Sequence, residues 1–203
     1  MRRTTECELQ RGGICAIIAT LLLSASVTLA AGNNPKPGSS AFDLDGRAVD
    51  PFAATNAAAT VLVFVACECP IANRYAPEIR RMHEKFSPRG ARFWMVYADP
   101  DATAEEIRKH VREFSLPGEA LRDPRHALAR KSKAKITPEG AVFDARGRLA
   151  YHGRIDDRVV DFGKERSAPT QRDLHDAIEA VLAGRKPRKA STAAVGCRIP
   201  ELR

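Results

Sequence analysis

The run VLVFVACECPIANRYAPEI, residues 61–79, constrains this chain more than any other stretch. Its first six residues are continuously apolar and rich in β-branched side chains, as in a strand buried on both faces of an α/β sheet. From Pro70 the period changes. Ile71, Tyr75, Ile79, Met82 and Phe86 recur at three- and four-residue steps, while Arg74, Glu78, Arg81 and Glu84 take the opposite face. That spacing predicts a helix, kinked at Pro77 and ended by Pro88 and Gly90. Cys69 stands at the junction, with Cys67 two residues before it.

A cysteine at a strand-to-helix junction meets unpaired backbone N–H groups and the positive end of the helix dipole, both of which favour a thiolate. Pro70 suits the first helical turn because it lacks an N–H that would go unused there. A thiolate at Cys69 can attack a disulfide or be oxidised by a peroxide to a sulfenic acid.

Beyond this segment, residues 92–98 (RFWMVYA) read as a second buried strand. Thr103, with Glu106 at the capping-box position, opens a helix to Phe114 with Ile107, Val111 and Phe114 as its apolar stripe. A short edge strand is expected around Ala120 and Leu121, then a small helix near residues 125–131. Residues 141–143 and 149–152 form a hairpin about Gly147. Thr170, followed by Asp173, opens a last helix carrying Leu174, Ile178, Val181 and Leu182, closed by Gly184. Upstream, AFDL and RAV flank Asp45-Gly46 as a short hairpin. The order predicts an α/β domain with a mixed central sheet and helices on both faces.

The ends of the chain belong to other things. Arg2, Arg3 and Arg11 precede an apolar run at residues 14–23 (ICAIIATLLL). Thr28 and Ala30 then hold the small-residue positions of a signal-peptidase site. The run is shorter than the ~20 residues of a spanning helix, so a secretory signal cleaved near Ala30 is expected, with an uncleaved N-terminal membrane anchor as the alternative. Localisation is then periplasmic or extracellular. Residues 31–40 form a Pro/Gly/Ser linker, residues 41–184 the domain, and residues 185–203 a basic, small-residue tail carrying Cys197, which is expected to lie over the domain surface and to be mobile enough to swing. The net charge of +8 falls only to +7 without residues 1–30. No aromatic-interleaved basic stripe accompanies it, so the charge reads as solvated surface and not as a nucleic-acid site. Cys67, Cys69 and Cys197 remain in the mature chain, an odd number that leaves at least one thiol outside any internal disulfide.

Three features in order carry a family resemblance: the Cys69-Pro70 junction with Pro77 eight residues on; Ile136-Thr137-Pro138 before a strand-turn-strand; and YHGRIDDR followed by TQRDLHDAIEAVLAGRKP and GCRIP. Over residues 38–199 the chain resembles redoxin-type, peroxiredoxin-like proteins of the alkyl hydroperoxide reductase and thiol-specific antioxidant superfamily. The resemblance implies a thioredoxin-like three-layer α/β/α fold and a cis peptide at Pro138. It also implies a backbone edge at Thr137 and Pro138, with Pro70 opposite, where a substrate chain pairs. The chain departs from the pattern in three places. Ala72 stands where thioredoxin has its second cysteine, Val63 where it has a buried aspartate, and Ala66 where peroxiredoxins have a threonine.

Two thiols can replace the missing partner of Cys69. Cys67 would close a small, strained Cys-Glu-Cys ring, and Cys197 could swing in on the tail. His152 and Arg154 could approach the site, although a solvated polar pair is the simpler account, and Asp156 and Asp157 read as loop residues. No histidine has metal-ligand spacing, and neither cofactor nor resident metal is expected. The expectation is an exported thiol oxidoreductase: Cys69 attacks a protein disulfide or hydroperoxide, Cys67 or Cys197 resolves, and a reducing thiol donor restores the enzyme. Two alternatives stand beside it, a Cu(I)-binding module gripping the metal through Cys67 and Cys69, and a redoxin fold kept as a non-catalytic interaction domain.

Overall fold

The computed structural model describes residues 41–53 and 56–202. The expected signal or anchor segment and the expected linker lie outside the described residues, among which no helix is long and apolar enough to cross a membrane.

Seven strands form the central sheet: β1 (Ala41–Phe42), β2 (Ala48–Val49), β3 (Ala59–Val65), β4 (Ala91–Tyr97), β5 (Glu119–Arg122), β7 (Glu139–Asp144) and β8 (Leu149–Gly153). Their spatial order is β2-β1-β5-β4-β3-β7-β8. β3, β4 and β5 run parallel, while β7, β8 and the β1–β2 hairpin run antiparallel to their neighbours. β3 is buried along its whole length, so its apolar run feeds both faces. Val61, Val63 and Val65 pack with α1 (Pro70–Phe86), with α4 (Asp173–Leu182) and with Ile107 of α2 (Ala104–Phe114). Leu62 and Phe64 pack with Leu128 and Ala129 of α3 (Ala127–Ser132). This is the thioredoxin-like α/β/α sandwich with a mixed sheet.

Several local readings are met. Asp45-Gly46 turns the β1–β2 hairpin, with Gly46 at φ +83°. Thr103 and Glu106 make a reciprocal capping box, and Gly184 follows the end of α4 at φ +68°. The helix expected from Pro70 is α1, which ends at Phe86 with Pro77 inside it.

Others are corrected. β5 is an interior strand, because β1 pairs with its outer side. Glu78 is buried rather than outward. Arg81 and Arg172 both reach its carboxylate, the latter at 2.9 Å, and supply the charge pairing that burial demands. Thr170 does not open α4. Its hydroxyl and N–H are taken by Asp157, and Arg172 is the residue before the first turn. Asp156 and Asp157 are therefore no plain loop residues: both are buried, and Asp156 accepts the Tyr75 hydroxyl at 2.6 Å.

The tail is pinned rather than free. Its residues 190–192 bond along the outer edge of β8 (His152 N to Ala190 O 3.1 Å, Thr192 N to His152 O 3.2 Å). Gly153, at φ +141°, leaves the room that a Cβ would take from the Thr192 backbone. The chain then crosses to pair a last short strand (Cys197–Arg198) antiparallel with β6 (Ile136–Thr137), Cys197 opposite Thr137. Ile199 N donates to Lys135 O at 2.9 Å and extends that ladder.

Candidate active site

Cys69 is the N-cap of α1, with extended backbone (φ −87°, ψ 103°) and Pro70 in the first turn. The Ala72 N–H donates to its Sγ at 3.4 Å, so the sulfur takes one of the donors a helix start leaves unpaired. No acidic side chain stands in the first turn to offset the positive end of the helix. The side chain is 1% exposed, and in its thiol form it donates to the Thr137 carbonyl at 3.0 Å.

The peptide between Thr137 and Pro138 is cis, as the resemblance implies. Thr137 and Pro138 are buried beside the sulfur, and Pro70 is exposed at the rim. The backbone edge of Thr137, expected to receive a substrate chain, is occupied by the protein's own tail. Gly196 makes this approach fit, since a Cβ there would overlap the Thr137 carbonyl oxygen. Cys197 is thereby set against Cys69, half-buried, on one wall of a cleft of about 410 Å³ that it shares with Ile136, Phe162 and Arg198.

The two thiols are pushed apart in acidity. Burial alone would raise Cys69. The Cys197 S–H, the Ala72 N–H, the Thr137 hydroxyl and the Cys197 backbone together outweigh it and hold Cys69 below the ordinary thiol range. Deprotonation gives up the bond to the Thr137 carbonyl and keeps the one from the Ala72 N–H. Cys197 moves the other way, up to about 11, through burial and then through its hydrogen bond to Cys69 and the charge there.

Cys67 belongs to different surroundings. It is half-buried, and burial together with Glu106, Asp99 and Glu68 pushes its thiol up. Its carbonyl accepts from Asn73 Nδ2 at 3.2 Å. Asn73 Oδ1 accepts from His110 Nε2 at 2.7 Å, and His110 Nδ1 accepts from the Tyr97 hydroxyl at 2.8 Å. One neutral tautomer of His110 satisfies all three bonds, and burial lowers the pKa of this ring. The sequence reading missed this brace. Its only signal was His110 three residues after Ile107, on the inward face of α2.

The other expected residues lie elsewhere. His152 faces Glu139 at 3.4 Å, and Arg154 holds Asp173 at 2.7 Å, so neither reaches Cys69. Among the described residues no group of three or more His, Cys, Asp or Glu side chains is placed to hold a metal ion.

Comparison with known proteins adds a family. Residues 34–152 match the model of the AhpC/TSA family. No curated protein matches the chain. Among solved structures it is similar to an uncharacterized conserved protein from Geobacillus kaustophilus (24% identity, 81% of this chain and 90% of that one, TM-score 0.67). A hypothetical protein from Sinorhizobium meliloti 1021 is similar to the same degree (23% identity, 78% and 87%, TM-score 0.67). A thioredoxin family protein from Chlorobium tepidum, a thiol:disulfide interchange protein, shares the fold more distantly (14% identity, 70% and 90%, TM-score 0.50).

Proposed function

The chain belongs to the AhpC/TSA family, and from that premise we propose that it is an exported thiol oxidoreductase in which Cys69 attacks and Cys197 resolves. One observation carries the reading: Cys197 lies opposite Thr137, whose carbonyl takes the Cys69 thiol at 3.0 Å, at the sulfur that caps the start of α1. Cys67 is pushed the other way, its thiol raised by burial and by the charges of Glu106, Asp99 and Glu68.

The acidity difference orders the steps. In the reduced protein Cys69 is the more readily deprotonated thiol, and Cys197 keeps its proton. Attack by Cys69 on an oxidant neutralises its sulfur and removes the charge that helps hold the Cys197 proton. Cys197 then becomes the nucleophile, attacks the oxidised Cys69 sulfur and closes a disulfide between them. An outside thiol donor reaches this disulfide at Cys197, which lines an open cleft, whereas Cys69 is sealed. Export rests on the basic start, the apolar run and the small residues at Thr28 and Ala30.

The test is peptide mass mapping of the full chain after treatment with one equivalent of hydrogen peroxide. The expected product links Cys69 to Cys197, persists in Cys67→Ser, and gives way in Cys197→Ser to a Cys69 sulfenic acid trapped by dimedone. A Cys67–Cys69 disulfide in the wild type, or no reaction at Cys69, overturns the reading.

A further inference from the structure

The tail does more than carry a thiol. A polypeptide disulfide that is to react with a recessed sulfur must bring its own backbone alongside, and the structure shows how this site receives a cysteine-bearing chain. Residues 196–198 lie antiparallel to β6, place a cysteine against Cys69, and satisfy the backbone of residues 135–137 through the ladder and the Ile199 N–H. Thr137 Oγ1 adds a long contact to the Cys197 carbonyl at 3.4 Å. That edge offers backbone pairing beside Sγ, and the protein has filled it with its own chain.

Resting on the assignment of Cys69 and Cys197 above, we propose that the tail strand is a built-in substrate segment that sets specificity: it bars outside polypeptide disulfides from Cys69 and leaves this sulfur to small hydroperoxides. A hydroperoxide needs no ladder. It requires only a local opening large enough for an O–O bond to line up with the sulfur, at the rim made by exposed Pro70 and half-buried Cys67. The Cys69 thiolate attacks one peroxide oxygen, the O–O bond breaks, and the departing alkoxide or hydroxide takes a proton to leave as alcohol or water. Cys69 is now a sulfenic acid. The Cys197 sulfur attacks it, water leaves, and the Cys69–Cys197 disulfide forms within the docked tail. Two thiols of a reducing donor return both cysteines to the reduced state and are themselves oxidised to a disulfide.

Gly196 is the residue on which this arrangement turns. Any side chain at 196 overlaps the Thr137 carbonyl, so Gly196→Ala must lift the strand from the edge without touching either cysteine. Ile199→Pro provides a second route, because it deletes the N–H that bonds Lys135 O at 2.9 Å.

The experiment compares full-length Cys197→Ser, in which the tail stays docked, with Cys197→Ser carrying Gly196→Ala or Ile199→Pro. Each is treated with hydrogen peroxide and, separately, with a peptide whose single cysteine bears a thionitrobenzoate disulfide. Reaction at Cys69 is timed by peptide mass mapping, and far-ultraviolet circular dichroism checks that each variant is folded. Displacing the tail is expected to speed the peptide reaction by about tenfold or more, the equivalent of losing one or two hydrogen bonds that close the edge. The peroxide rate should not rise, since lifting the tail also withdraws the donors at residue 197 that favour the Cys69 thiolate. Equal peptide rates with the tail docked and displaced would overturn the proposal, and so would equal gains for peptide and peroxide. A Cys69 inert to both oxidants in every folded variant would instead sink the assignment of Cys69 as nucleophile.

Discussion

Cys197 stands opposite Thr137 across a two-residue antiparallel ladder, and the carbonyl of that same Thr137 lies 3.0 Å from Cys69 Sγ. One residue thus joins the helix-start cysteine to the tail cysteine, which are distant in sequence, and the acidity of each thiol depends on the other.

Replacing Cys197 by Ala removes the S–H donor and should raise the Cys69 titration midpoint. Cys197→Ser, which keeps a donor, should raise it less. Thiolate absorbance followed against pH measures both, with Cys69→Ser as the blank. Because Cys69 is held below the ordinary thiol value, it favours the folded, reduced protein above the unfolded thiol pKa. That contribution fades as pH falls through the folded value.

The brace beneath the Cys67 loop should be measurable as stability. Asn73→Ala strips the Cys67 carbonyl of its donor and leaves His110 Nε2 unpaired. A cost of about 1–3 kcal/mol follows, read from the urea midpoint at unchanged slope.

His110 gives that brace a pH dependence. Burial lowers its folded pKa, so its contribution is complete above the unfolded histidine value of roughly 6.5 and is lost as pH falls through the lower folded value. The stability gap between wild type and His110→Gln should therefore narrow on acidification. A gap that is constant or widens from neutral pH downward would contradict the neutral-tautomer chain.

Tyr75→Phe deletes the hydroxyl that Asp156 accepts at 2.6 Å in the interior and should cost about 1–2 kcal/mol. Asp157 acts in a lower pH window. Although burial opposes its charge, the Thr170 hydroxyl, the N–H groups of Gln171 and Thr170, and Arg166 hold it at about 2. Its contribution is present above the unfolded aspartate value and disappears as pH falls toward 2. Acid unfolding of Asp157→Asn should accordingly lack part of the wild-type steepness there.

Local physics made much of this protein legible in its sequence. A doubly buried strand must be continuously apolar, a helix face must repeat at three and four residues, and Asp-Gly, Thr-x-x-Glu and a closing Gly have conformations of their own. These placed β3, α1, β4, α2 and the β7–β8 hairpin, and they put Cys69 where a helix start would activate it. Three things were decided only by tertiary structure, because each depends on partners far along the chain. Glu78 lies inward because Arg172 reaches it from the start of α4. His110 is a brace because Tyr97 and Asn73 arrive on either side of it. The tail lies where it does because Gly196 lets it close on Thr137, a contact invisible to any local pattern, and on that contact rests the proposal that Cys197 rather than Cys67 resolves Cys69.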